Sequence, residues 1–111
     1  GEPNWYDQNA YYQLRTHVRI SKPRQIEAMR ARSPDLAAIK AYERPRLKLA
    51  HMIKGTDNQL GFIKRSIAMV EAKRNMTDEQ KEVKIEQLRR KRKKIILKVL
   101  KTAKQYGVHD Y

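Results

Sequence analysis

The chain predicts an all-α fold: a long antiparallel helical hairpin preceded by two short helices. Three observations point there. Apolar residues recur in steps of three and four from Ile39 to Val70, the spacing that keeps side chains on one face of a helix. Thr77-Asp78-Glu79-Gln80 reads as a capping box that opens a second stripe of the same kind. Strand signals are missing, with no Asn-Gly or Asp-Gly turn and no sustained alternation of period two.

Residues 1–6 read as an entry loop. Asp7 is the expected N-cap of a short helix to about Arg19, with Tyr11, Leu14 and Val18 on one face. Ser21 and Pro23 restart the chain into a second short helix to about Ala31, carrying Ile26 and Met29. Ser33-Pro34-Asp35 is a third start: a capping serine, proline at the first helical position and a carboxylate in the first turn.

The first long helix, about 34–74, carries the stripe Ile39, Tyr42, Arg46, Leu49, Ile53, Thr56, Leu60, Ile63, Ile67, Val70. The stripe keeps its phase across Pro45 and Gly55, the two residues best suited to break it. Proline removes a backbone hydrogen bond and kinks a helix, whereas glycine costs only about 1 kcal/mol against alanine. A kinked continuation is expected, with a loop at Gly55-Thr56-Asp57 as the alternative. The second long helix, 77–106, has Thr77 as N-cap and Gly107 just past its end. Its stripe is Ile85, Leu88, Arg92, Ile95, Val99, Thr102, Tyr106, widened by Ile96, Leu100 and Ala103.

Two such helices joined by a two- or three-residue link fold back on each other over about 45 Å. The expected seam is Leu49, Ile53, Leu60, Ile63, Ile67 and Val70 against Ile85, Leu88, Ile95 and Val99. Within it Val70 faces Val83, Ile67 faces Ile85, Ile63 faces Leu88, Ile53 faces Val99 and Leu49 faces Ala103. Leu60 faces Arg92. The chain divides into a docking segment, 1–33, and a hairpin domain, 34–111.

Composition narrows the partner class. Lys and Arg number 26 against 12 Asp and Glu, for a net charge of +14 over 111 residues. Self-repulsion of that size favours an anionic partner: nucleic acid, an acidic protein surface or anionic lipid. Cysteine is absent, so neither a disulfide framework nor a thiolate metal site is expected. No apolar run approaches the ~20 residues of a membrane span, and no signal-peptide core occurs. The first residue is Gly rather than Met, as expected of a processed chain or a piece of a longer one.

The densest feature is Arg89-Arg90-Lys91-Arg92-Lys93-Lys94. Consecutive helical residues turn by about 100°, so this run circles the helix and cannot line one groove. The outer basic face is instead Lys84, Arg90, Lys91, Lys94, Lys98 and Lys101, with Arg92 over the seam. Three readings stay open: a phosphate-binding face, a solvated face compensated by Glu79, Glu82 and Glu86, or an address signal. Trp5, Tyr6, Tyr11 and Tyr12 crowd the N-terminus beside Arg15, His17 and Arg19. Such aromatics dock a terminus or anchor another subunit, with base stacking as the other use.

His17, His51 and His109 have no partner at zinc spacing. No dinucleotide fingerprint, P-loop or nucleophile elbow occurs. No enzyme activity, cofactor, metal or small-molecule substrate is therefore expected.

Met76-Thr77-Asp78-Glu79-Gln80-Lys81 followed by Ile85-Glu86-Gln87-Leu88 resembles a helical pattern of large phage polyvalent proteins, including internal virion (DNA-ejection) proteins of short-tailed phages. There a leucine, Ser/Thr, any residue, Glu, Glu/Gln and Lys open a helix with an Ile-x-x-Leu stripe. Met76 replaces the leucine, the following helix is more basic, and the resemblance covers about 34–106. It implies a place in the virion, packed by the portal and genome and then exported into the host envelope. No functional residue carries over. The expected function is a non-enzymatic structural module of a larger, homo-oligomeric assembly, in a virion or else the cytoplasm. Its basic face would meet an anionic partner; DNA or RNA phosphates and an anionic membrane surface are both candidates. The alternative is a free-standing, sequence-independent nucleic-acid-binding protein.

Overall fold

The computed structural model describes the backbone of residues 4–32 and 35–108, and the side chains of 8–19, 26–32 and 35–108. Its elements are α1 (Asn4–Thr16), a π-helical turn (His17–Ser21), α2 (Lys22–Arg32), α3 (Leu36–Ala72) and α4 (Asp78–Gln105). Among the described residues there is no strand. α3 and α4 form the hairpin, α1 packs against α4, and α2 packs against α3.

The amino-terminal part differs from expectation at both ends of α1. The helix begins at Asn4, so Asp7 lies within its first turns rather than capping it. The expected restart at Ser21–Pro23 is also absent, because the backbone stays helical from Asn4 to Arg32 through the π turn. Proline lacks the amide hydrogen that a regular α-helix uses, and the π-helical turn His17–Ser21 directly precedes the element that carries Pro23.

Asp35, not Ser33, caps α3: its Oδ1 accepts from the amides of Ala37 at 3.1 Å and Ala38 at 3.3 Å. Ser33 and Pro34 lie outside the described residues. From there α3 runs unbroken for 37 residues through Pro45 and Gly55, about 55 Å of helix. The loop alternative at Gly55-Thr56-Asp57 is thereby settled in favour of continuation. Both polar members of the stripe, Arg46 and Thr56, are buried with it. Arg46 stacks 3.6 Å over the Tyr42 ring and donates from Nη1 to the Tyr42 carbonyl at 3.0 Å, so its charge is used within α3.

Gly55 has nothing within 4 Å of the place a Cβ would occupy. Gly55→Ala is therefore expected to stabilise the protein by about 1 kcal/mol, the helix-propensity difference. A rise in the urea midpoint at constant m checks it.

α4 is fixed at both ends by its own residues. Thr77 Oγ1 accepts from the Gln80 amide at 3.1 Å, and Gln80 Oε1 accepts from the Thr77 amide at 3.0 Å, the reciprocal pair expected of a capping box. At the far end Gly107 takes a φ of 74°. Its amide donates to the Lys104 carbonyl at 3.0 Å, and the Val108 amide to that of Ala103 at 2.9 Å. This is a Schellman closure, in which glycine tolerates the left-handed turn. Val108 and Ala103 are both buried and supply its apolar contact.

One core gathers Tyr11, Leu14 and Val18 of α1, Leu49 and Ile53 of α3, Ile96, Val99 and Ala103 of α4, and Val108. Ile53 and Val99, and Leu49 and Ala103, share this cluster as the hairpin register requires. Two seam expectations need correction. Ile96 is buried while Ile95 is only half-buried, because α1 covers the Ile96 flank and draws the inward direction towards it. Val83 does not face Val70: it is 61% exposed, lying two residues, about 200°, from Ile85. The seam position one turn before Ile85 is the half-buried Lys81, whose Nζ donates to the Glu71 carbonyl at 3.0 Å. Leu60, Ile67, Ile85 and Leu88 are half-buried, and Ile63 and Val70 are buried.

A polar clasp fastens α1 to α3. Asp57 accepts from the Tyr11 hydroxyl at 2.6 Å through Oδ1 and from Arg15 Nε at 2.8 Å through Oδ2. Desolvation, then the Asp57 bond, raises the Tyr11 pKa. Its neutral form therefore stabilises the fold below the ordinary tyrosine value of about 10, and that contribution is lost as pH rises above it. Asp57→Ala is expected to cost about 1–3 kcal/mol, mainly by leaving the buried Tyr11 hydroxyl with a poor acceptor. Chemical denaturation checks this, and Tyr11→Phe should remove most of the further effect of Asp57→Ala.

Candidate anion-binding face

The inward direction of α4 is set by Ile96, Val99 and Ala103. Relative to it, Lys84, Lys91 and Lys98 follow one flank, seven residues apart and so about 10 Å apart along the helix. Lys94 and Lys101 form a second row further round. Arg90 sits at the border, where its Nε lies 3.5 Å from Glu86 Oε1. All six are exposed, as expected. The hexabasic run is not a unit: Lys91 and Lys94 join the face, Arg90 turns to Glu86, and Arg92 is half-buried. Burial, and then the neighbouring Arg89, lower the Arg92 pKa from the ordinary arginine range.

Carboxylates fall on the other side. By the same helical arithmetic Asp78, Glu79, Glu82 and Glu86 of α4 lie towards the flank that α1 covers. Glu43, Asp57 and Glu71 of α3 do likewise, and the contact of Asp57 with Tyr11 and Arg15 identifies that side as the α1 side. Because α3 and α4 are antiparallel, their matching flanks open on the same face of the hairpin. The face away from α1 therefore carries Lys84, Lys91 and Lys98 and, among the described residues of α3 and α4, no carboxylate.

Lys48 belongs to this face and was not among the sequence candidates. Its Nζ lies 5.9 Å from the centroid of the Tyr106 ring, across the hairpin from α3 to α4. The signal was present in the chain: a lysine stands one residue before a seam position in Lys48-Leu49, Lys84-Ile85, Lys91-Arg92 and Lys98-Val99.

No family model, curated protein or solved structure matches the chain.

Of the aromatic candidates, Tyr11 is buried in the core and docks α1 onto the chain's own hairpin. Tyr12 is 57% exposed. The side chains of Trp5 and Tyr6 lie outside those described. His17 is buried and His51 exposed, while His109 lies outside the described residues. Among those residues no group of three or more His, Cys, Asp or Glu is placed to hold a metal ion. No helix described is long and apolar enough to cross a membrane. What the face offers is unpaired charge: among the described residues no ion pair engages Lys84, Lys91, Lys94, Lys98 or Lys101.

Proposed function

We propose that the chain is a non-enzymatic helical module that holds nucleic-acid phosphates, without regard to base sequence, along the hairpin face away from α1. The observation that carries this reading is the segregation of charge. A merely solvated face intersperses Glu with Lys at i, i+4, which supports the helix locally. Here two rows of lysines run without an intervening carboxylate, so their potentials add rather than cancel. From Lys84 to Lys101 the rows extend about 25 Å, on the order of seven base pairs of duplex at 3.4 Å each. Flexible ammonium groups neutralise phosphates as point charges and carry no base information.

Salt dependence tests it. Fluorescence anisotropy with a labelled 30-mer duplex of arbitrary sequence is expected to show log K falling linearly with log salt, with a slope of about −4.5 for five lysine contacts. A second, unrelated 30-mer should bind within about three-fold at each salt concentration. Absence of binding at 50 mM salt, or an affinity indifferent to salt, would remove the proposal.

A second reading is a structural subunit of a larger assembly: Phe62 and Met69, 59% and 65% exposed on α3, favour assembly, and the phage-virion setting rests on the resemblance of the Met76–Leu88 stretch alone. Phe62 and Met69 are two turns apart on one side of that helix. Such a subunit would place the basic face beside packaged DNA, so the readings are compatible. Light scattering coupled to gel filtration tests it: an oligomer dispersed by Phe62→Ser and Met69→Ser supports the assembly role, and a monomer at all concentrations counts against it.

A further inference from the structure

Where α1 crosses the hairpin it leaves a crevice of about 280 Å³ on the side opposite the lysine rows. Leu60 and Ile96 line its apolar floor, and Gln8, Tyr12, Lys64 and Arg92 its polar walls. With the Gln8 amide oriented so that its oxygen faces the guanidinium, that oxygen accepts from Arg92 Nη2 at 3.0 Å and Nε at 3.2 Å. A guanidinium has five N–H donors, so three remain for another acceptor. No carboxylate among the described residues pairs with Arg92.

That combination is unusual chemistry for structure alone. A cation partly withdrawn from water, as the half-buried Arg92 is, ordinarily gains a carboxylate in return. Arg92 instead is held in position by a neutral amide, keeps its whole charge, and shares its crevice with a second cation, Lys64. A planar fork with free donors over an apolar floor suits the two oxygens of a phosphate group. Tyr12 adds a second kind of contact. Its ring stands edge-to-face with Tyr11, at 5.9 Å between centroids and 67° between planes, which braces it while more than half its surface stays open. A braced, exposed ring beside a phosphate site is a platform for a nucleobase.

We propose that this crevice binds one unpaired nucleotide of a single-stranded nucleic acid, its phosphate on Arg92 and Lys64 and its base stacked on Tyr12. The base must be unpaired because a duplex keeps its base faces stacked and out of reach. The inference rests on the reading of the chain as a phosphate binder. It uses the opposite side of the hairpin from the lysine rows, however, so the two can fail separately.

The test is a titration of the full chain with a deoxyadenosine tetranucleotide, followed by NMR at the Arg92 Nε–H and the Tyr12 ring. Saturable shifts at both are expected, with ribose 5-phosphate binding at least ten-fold more weakly because it lacks the base. Arg92→Gln and Lys64→Gln should each weaken the tetranucleotide about ten-fold, and Tyr12→Ala by a similar factor. Tyr12→Phe should bind as the parent does, since the face of the ring and not its hydroxyl makes the contact. Lys64 is exposed, so its variant remains informative if Arg92→Gln perturbs folding. Lys91→Glu with Lys98→Glu should leave the crevice shifts in place even where duplex binding is lost. Three results would overturn the proposal: no saturable shift at Arg92, equal binding of ribose 5-phosphate, or an affinity unmoved by Lys64→Gln and Tyr12→Ala.

Discussion

Leu49→Asp is expected to abolish cooperative folding. Leu49 is wholly buried within the cluster that joins α1, α3 and α4. The substitution removes an apolar side chain that no neighbour can replace, at about 2–5 kcal/mol. It also places a carboxylate where neither water nor a cation of the cluster can reach it, which adds several kcal/mol more. A domain of this size has about 5–15 kcal/mol in all, so the two costs together consume most or all of it. Circular dichroism should show a lost or non-cooperative thermal transition. Val83→Asp is the matched control. The stripe pattern paired Val83 with Val70, but its exposure predicts a change within about 0.5 kcal/mol. A folded, cooperative Leu49→Asp variant, or a Val83→Asp variant as damaged as Leu49→Asp, would contradict the packing described above.

The second large effect concerns binding. Lys91→Glu, Lys94→Glu and Lys98→Glu together lower the net charge by six from +14. So do Lys54→Glu, Arg65→Glu and Lys104→Glu, which are equally exposed but lie away from the lysine rows, by the same helical arithmetic. If the rows are the site, the first set should reduce duplex affinity by at least about 100-fold and flatten the salt slope by about three. The second set should cost less than about ten-fold, the effect of a weaker long-range field. Equal losses from the two sets would mean that bulk charge, and no particular face, attracts the nucleic acid.

Much of the architecture could be read from local chemistry. The Thr77–Gln80 box and the Gly107 closure depend on residues within one turn of each other, and both appear where the chain specifies them. The passage of α3 through Pro45 was legible because the stripe held its phase there; burial of Leu49 and Ile53 outweighs one missing hydrogen bond. Misreadings occurred where a distant element decides. Ile95 and Ile96 are equally apolar, and only the presence of α1 on one flank selects Ile96. Ser33 and Asp35 are both competent caps, and nothing local ranks them. The turn at His17–Ser21 looked like a break because Pro23 forbids a regular α-helix, not a widened one.

The candidate face was legible residue by residue but not as a surface. Lys84, Lys91, Lys94, Lys98 and Lys101 could be placed on the outside of α4 from periodicity alone. Which flank stays open depends on where α1 lies, and that rests on Asp57 meeting Tyr11 and Arg15 across more than forty residues of chain. Lys48 was missed for the same reason. The crevice lay further out of reach, since Gln8, Lys64 and Arg92 come together only through the packing of three helices.

The core sits at the open end of the hairpin, where Leu49 and Ile53 meet Val99, Ala103, Val108 and α1. Towards the turn Ile63 and Val70 are buried as well, but Ile67, Ile85 and Leu88 are only half-buried. Burial is thus denser at the open end than at the turn end. Small opening motions of the turn end need not disturb the core, since local stability follows local burial. Lys84 rides on the less buried part, and Lys98 and Lys101 on the core end. If the rows hold a curved polyanion, the turn end is therefore expected to give first and the core end to stay in place.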